Sequence, residues 1–285
     1  MVLTWGVDLF FHFDLTQERS DAVGRPADFR GGKLHPDQVP AYVEYKARLR
    51  RLCTREDKGN ALQHCESVTF VELKSRHGFG LAVREGLAYC RTEYVMVIQH
   101  DRAFVRPLCL GGVFKALRCP GVRVVTLLNS SLVNHQLTVK DRVALPVEYS
   151  WEAVCRKIHV EGCDDHLDQE STLQPLWYWF DTTHVTSRQH YTDFVLGGGS
   201  GASIKRGGFI EDKLGQLQLR QLREHGPPSH AQHGTFILIR SCADGTSDPD
   251  CPEAATVFTM HLDSGKFGNQ AAHHRGVGES QEDEL

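Results

Sequence analysis

The chain has no apolar run long enough to cross a bilayer, no Cys-x-x-Cys pair, no basic excess and no internal repeat. Each absence excludes a class. A membrane-spanning helix needs about 20 predominantly apolar residues. The longest apolar stretch near the start, Trp5 to Phe13, is broken by Asp8 and His12, and no basic segment precedes it. It reads neither as a span nor as a secretory signal. The nine cysteines (53, 65, 90, 109, 119, 155, 163, 242 and 251) show no zinc-ribbon spacing. At this length they read mostly as reduced, buried small hydrophobes. Cys242 and Cys251, on a loop rich in Asp, Gly and Pro, are the one pair suited to a disulfide. Lys plus Arg (32) against Asp plus Glu (36) gives a net charge of −4, so no nucleic-acid partner is expected.

What is present fits a soluble globular protein of one large or two small domains: 285 residues, 40% hydrophobic and 24% charged. Sixteen histidines are the most unusual count. Strands are predicted over 7–14, 67–73, 94–99 and 122–128, with helices over 37–53, 80–90 and 110–117 between them. This alternation predicts an α/β fold with a mostly parallel sheet and ligands at the carboxyl ends of the strands. Residues 94–99 form a continuous apolar run, as expected of a buried parallel strand. Beyond residue 150 come an aromatic segment over 176–183, a Gly/Ser loop over 197–208 and a helix over 211–223. That helix opens with Glu211 and Asp212 and is stopped by Gly226-Pro227-Pro228. Two late strands, 235–240 and 256–262, are expected to pair with each other. Residues 266–285 read as a disordered tail.

Four constellations could carry chemistry. Gln99-His100-Asp101-Arg102 ends the buried strand, where an Asp and a His can bind a divalent metal. Read alone, Asp101 serves equally well as a turn cap. Lys74-Ser75-Arg76-His77-Gly78-Phe79-Gly80 links a strand to a helix. Its glycines would admit close backbone approach to an anion at the helix start, or simply make a tight turn. Glu211-Asp212 follows a glycine-rich loop and offers a general base toward a hydroxyl, or a charge matched to the helix dipole. His261 lies among strand formers, as a core histidine would.

In order and spacing, these pieces resemble the family 2 glycosyltransferases of the GT-A fold. The likeness runs from the Gly78-Phe-Gly-Leu-Ala-Val-Arg-Glu-Gly86 helix start, through Tyr94-Val-Met-Val-Ile-Gln-His-Asp101, to Gly207-Gly-Phe-Ile-Glu-Asp212. It covers residues 67–128 and 200–222, about a third of the chain.

The resemblance implies a three-layer α/β/α sandwich and inverting transfer of a sugar from a nucleoside diphosphate sugar, assisted by Mn²⁺ or Mg²⁺. The acceptor would be a hydroxyl on a glycan, lipid or protein. Residues 1–150 would form the donor half and 151–265 the acceptor half. Asp212, with Glu211, would carry the base. Asp101 and His261 would hold the metal, and Asp14, Lys74, Arg76, Gly78, Gly80, Gln99 and His100 would contact the nucleotide sugar. Apart from the resemblance, the faces of Trp177, Tyr178 and Trp179 suit the apolar side of an acceptor sugar, and a core role fits at least one of them equally well.

Two departures stand out. Gln99 replaces the first Asp of the family's Asp-x-Asp motif, and the family's opening strand is not found before Trp5. Either 7–14 is the second strand, with Asp14 near the nucleotide base, or the first half is rearranged. Gln99 keeps open a non-catalytic protein that binds a nucleotide or glycan. A further alternative is a metallohydrolase built on Asp164, Asp165, His166 and Asp168, or on His225, His230 and His233, although these clusters read first as solvated loops. As the sequence stands the expected location is cytoplasmic, or the ER/Golgi lumen if a segment precedes Met1. The terminal Glu-Asp-Glu-Leu begins with an acid where a retention signal carries Lys or His.

Overall fold

The computed structural model describes residues 2–4, 8–13, 17–18, 33–34, 37, 39–54, 67–73, 77–99, 102–106, 108–154, 158–160, 171–206, 208–240 and 257–261. The elements run β1 (Val2–Thr4), β2 (Asp8–Phe13), β3 (Gln17–Glu18), β4 (Lys33–Leu34), α1 (Val39–Thr54), β5 (Ser67–Glu72), α2 (Phe79–Leu87), β6 (Tyr94–Val97), β7 (Arg102–Phe104), α3 (Leu110–Leu117) and β8 (Val124–Leu127). There follow α4 (His135–Arg142), α5 (Trp151–Val154), β9 (Ile158–Val160), β10 (Ser171–Pro175), β11 (His184–Ser187) and α6 (Arg188–His190). A π-helical segment (Tyr191–Leu196) continues α6, and another (Glu211–Gly215) leads into α7 (Gln216–His225). A 3₁₀ turn (Pro227–Ser229), α8 (His230–His233), β12 (Thr235–Arg240) and β13 (Thr259–His261) complete the chain's described part.

The main sheet has the order β5-β2-β1-β6-β11-β8-β12-β10-β9. Its middle, β6 to β10, is a five-stranded mixed sheet. The expectation of a mostly parallel sheet is corrected. Only β2 with β5 and β8 with β12 pair parallel, and the other six pairings are antiparallel. The unbroken apolar run over residues 95–98 correctly signals burial on both faces but not strand direction. Met96 and Ile98 pack with Val113 and Ala116 of α3, while Val95 and Val97 pack with Val83 and Leu87 of α2. Successive residues of a strand face opposite ways, so two covered faces require apolar residues throughout. The neighbours of β6, however, are β1 and β11, and both run antiparallel to it.

The halves on either side of residue 150 share this one sheet, since β11 lies between β6 and β8 and β12 extends it. The expected pairing of the two late strands does not occur. β13 pairs antiparallel with β7, and Thr259 bridges to Asn129. Burial of Phe258 against the α3 side of the sheet, with its N–H donated to the Leu128 carbonyl, draws the segment there. Residues 266–285 lie outside the described residues. Among the described residues, no helix is long and apolar enough to cross a membrane. Cys90 and Cys119 are outside any disulfide, whereas Cys109 at the start of α3 is disulfide-bonded, an exception to the expectation that the cysteines are mostly reduced.

Much of the histidine surplus is packing. Burial holds the His135, His184, His190, His230 and His233 rings down at about 4, so they are neutral near pH 7. In the unfolded chain each would take a proton near 6.5. Between pH 6.5 and 4 the unfolded state therefore binds more protons, and stability is lost as pH falls. The buried Asp181 works the other way. Burial first, and then the Glu211 carboxylate, push it up to about 7 from 3.8, so its contribution is lost as pH rises through 7. Five groups outweigh one. The urea midpoint is therefore expected to fall steeply from pH 6.5 to pH 4.5; a flat midpoint over that interval would contradict these burials.

Candidate functional site

Register places the site. β5, β2, β6, β8 and β12 point the same way, and β11 runs against them with His184 opposite both Val97 and Thr126. The segment before β11, Asp181-Thr182-Thr183, therefore lies at the same edge as Gln99 after β6 and Asn129 after β8. The Asn129 side-chain amide donates to Thr182 Oγ1 at 2.7 Å, joining two of these ends directly. This carboxyl edge is where α/β sheets present ligand groups.

Asp181 ties the Glu211–Asp212 turn to the edge. It is only 4% exposed. Its Oδ2 accepts from the Ile210 N–H at 2.9 Å and the Glu211 N–H at 3.4 Å, and its Oδ1 accepts from Trp179 Nε1–H at 3.0 Å. In return, the Asp181 N–H donates to Glu211 Oε2 at 3.1 Å. Asp212 is exposed at the helix start, and no hydrogen bond to its carboxylate is formed among the described residues.

The glycine motif meets the same turn. Gly78 has φ 79°, a conformation that favours glycine, and its carbonyl accepts from the Ala82 N–H to start α2. At Gly80 a Cβ would lie 2.8 Å from Ile204 Cγ2 and 3.1 Å from Ile210 Cγ1. Phe79 stacks on Phe209, with ring centroids 6.3 Å apart. Close approach is thus what the second glycine provides, but toward the Ile204–Ile210 loop.

The remaining candidates fall as follows. Gln99 is half-buried; its Oε1 accepts from Arg102 Nε at 3.3 Å and its carbonyl from the Arg102 N–H at 3.2 Å. Opposite Arg102 in antiparallel register stands His261, of whose side chain nothing is described. Asp14, Lys74, Arg76, His100 and Asp101 lie outside the described residues. Trp177 and Trp179 are both buried, at 3% and 2% exposure. Trp177 packs at a tilt against His230 and lines a cavity of about 600 Å³ with Pro227, Pro228 and Phe236. That cavity lies by the amino end of β12, the edge opposite Asp181. Trp179 packs edge-on against His184 and Tyr191.

The half-buried aromatics that alternate with them are Tyr178 and Phe180, with ring centroids 4.9 Å apart. Tyr178 lies against Gly215, where a Cβ would come within 2.6 Å of its ring. Burial raises its hydroxyl above the usual value, and the Glu211 and Asp212 carboxylates add to the effect. Of the three aromatics expected to suit an acceptor sugar, Tyr178 is the one that is not fully buried. Gly215, one helical turn after Glu211, is the small residue that makes room for its ring.

Among the described residues no group of three or more His, Cys, Asp or Glu side chains is arranged to hold a metal ion. His230 and His233 do not lie in a solvated loop: His233 is buried, His230 is half-buried, and both rings are hydrogen-bonded within the fold. The ring N–H of His230 donates to the Thr235 carbonyl at 2.6 Å, and His233 Nε2 lies 2.6 Å from Gln221 Oε1. His225 is exposed beside Glu224. Asp164, Asp165, His166 and Asp168 lie outside the described residues. No protein-family model matches the chain, and neither the curated proteins nor the solved structures include a significant match.

The Gly80 contact gives a test with a magnitude behind it. Alanine in place of glycine inside a helix ordinarily gains about 1 kcal/mol, but overpacking a close contact costs about 1–3 kcal/mol. Gly80→Ala is therefore expected to lower stability in chemical denaturation. Adding Ile204→Ala should recover part of the loss by removing the nearest methyl. A stabilised Gly80→Ala variant would disprove the contact.

Proposed function

We propose that the protein is a glycosyltransferase with a GT-A-like fold, moving a sugar from a nucleoside diphosphate sugar to an acceptor hydroxyl with inversion. The observation that carries this reading is the packing of the Gly78-Phe79-Gly80 turn on the Phe209-Ile210-Glu211-Asp212 turn at the carboxyl edge. These two motifs are 130 residues apart in sequence. In the family the chain resembles, they serve donor binding and catalysis. Helix-bearing layers on both faces of a mixed sheet add support, as does the register that brings the His261 backbone opposite Arg102.

Asp212, exposed and with no hydrogen bond to its carboxylate among the described residues, takes the proton of the acceptor hydroxyl as its oxygen attacks the anomeric carbon. A bond forms from that oxygen to the carbon, the bond to the diphosphate breaks, and the nucleoside diphosphate leaves with the electron pair. A divalent ion, when bound, would neutralise charge on the leaving diphosphate. Its ligands would be Asp101 with His100 or His261. Tyr178 and Phe180, rather than the buried Trp177 and Trp179, offer aromatic surface to the acceptor.

One observation favours a second reading, a protein that binds the donor without transferring it. Gln99 stands where the family has a carboxylate, and its amide oxygen is engaged by Arg102. The two readings separate on UDP, GDP and their sugars, assayed for binding and for turnover with and without Mn²⁺. Transfer or hydrolysis that falls about 100-fold or more in Asp212→Asn and is abolished in Asp101→Ala supports the transferase. Binding without turnover leaves the binder. Neither binding nor turnover across the panel rejects both.

The Cys109 disulfide supports an oxidising compartment over the cytoplasm. Alkylation of the unfolded, unreduced protein should label Cys90 and Cys119 but spare Cys109. Labelling of Cys109 would remove that support.

A further inference from the structure

We infer that Asp181 is the positioning residue of this site, clamping the backbone of Ile210 and Glu211 so that Glu211 belongs to the clamp and Asp212 is the carboxylate left for chemistry. The clamp stands on geometry alone. Its catalytic half rests on the transferase reading above.

A helix start leaves N–H groups without intrahelical partners, and a side chain at the N-cap ordinarily satisfies one of them. The helical run from Glu211 to His225 has no such local cap. Ile210 at that position already has helical angles (φ −66°, ψ −41°), and no side-chain cap bond is formed there. The missing acceptor comes from Asp181, which takes the Ile210 and Glu211 N–H groups on one oxygen. The other oxygen is held by Trp179 Nε1–H, which fixes the carboxyl's orientation.

Asp181 also donates. Its own N–H reaches Glu211 Oε2, so the two segments are tied by bonds running in both directions. Among the described residues no Lys or Arg pairs with Asp181. Burying a carboxyl without a cation is costly unless hydrogen bonds compensate, and an apolar side chain would fill the volume more cheaply. The carboxyl is accounted for by the amides it holds. The groups that face it are the Glu211 carboxylate, the Trp179 indole and, among the buried rings packed below, Tyr191 and His184.

The consequence is a division of labour within Glu211-Asp212. Glu211 is held to the Asp181 backbone and is half-buried, whereas its neighbour is exposed and held by nothing described. The Glu211 role needs an oxygen acceptor but not a negative charge.

The test uses the full chain and two readouts. Amide hydrogen exchange is measured at Ile210 and Glu211 in wild type, Asp181→Asn and Asp181→Ala, with the Val125 amide of β8 as an internal reference. Both amides are expected to exchange at least tenfold faster in Asp181→Ala while Val125 is unchanged. Equal exchange overturns the clamp. If Asp181→Ala does not fold, Asp181→Leu, which fills the volume without an acceptor, carries the same comparison.

The second readout is kcat and donor KM for whichever UDP- or GDP-sugar the wild type turns over. Asp181→Asn should lower kcat tenfold or more with KM within about twofold. Glu211→Gln should keep activity that Glu211→Ala loses, because the amide oxygen can still accept the Asp181 N–H. Glu211→Gln as damaging as Asp212→Asn would make Glu211 the base and overturn the division of labour. A wild type that turns over no donor rejects the transferase reading, and the exchange result then decides the clamp by itself.

Discussion

The structure around the carboxyl edge depends on one exchange of hydrogen bonds, between the Asp181 carboxyl and the backbone at Ile210 and Glu211, returned from the Asp181 N–H to the Glu211 side chain. Residues 176–183 carry the chain from the end of β10 at one edge of the sheet to the start of β11 at the other. Leu176, Trp177 and Trp179 are buried on the way, with the half-buried Tyr178 alternating between the two tryptophans. That crossing delivers Asp181 to the helix start. Gly215 then lets the helix run beneath the Tyr178 ring. The π-helical turn from Glu211 to Gly215 falls within this contact, and such turns are often found at functional sites.

Much of the fold was legible because apolar periodicity reports burial. The strand over 94–99 and the helices over 110–117 and 211–223 were all foreseen within a few residues of β6, α3 and the Glu211–His225 run. Strand direction was not legible, since Val95 to Ile98 would be apolar beside parallel or antiparallel neighbours alike. β11 escaped notice for a related reason. His184, Thr186 and Ser187 look polar in sequence, yet His184 and Thr186 are fully buried, with Thr186 Oγ1 donating to the Arg123 carbonyl. The pairing of the two late strands was misjudged because nearness in sequence stood in for the long-range burial of Phe258 that places β13 beside β7.

At the site, residue type was legible and division of role was not. Glu211-Asp212 and Gly78-Phe79-Gly80 were both singled out, but no local pattern marks Asp181. Its partners lie 29 and 30 residues away, and its neighbours Thr182 and Thr183 suggest an ordinary strand start. The tryptophans misled by size. The largest aromatic side chains gain most from burial, so Trp177 and Trp179 were taken into the core and the smaller Tyr178 was left near the acids. The histidines misled by chemistry. Neutral rings fill the interior as flat polar-edged plates: His184 stacks on Tyr191, His190 on Phe194, and His230 packs against Trp177 and Phe236.

Gln99 is where the charge balance of the edge turns. A carboxylate there would meet Arg102, whose Nε already donates to the Gln99 amide oxygen, and the pair would neutralise itself. With an amide in that place the hydrogen bond survives without an ion pair between the two residues. On the proposed reading, an edge that would recruit a divalent cation has one attractive carboxylate fewer. On that reading, Gln99 bears more on how the charge of the leaving group would be neutralised than on whether the donor could be held, because a neutral amide can still hydrogen-bond a hydroxyl while it offers no charge to a cation.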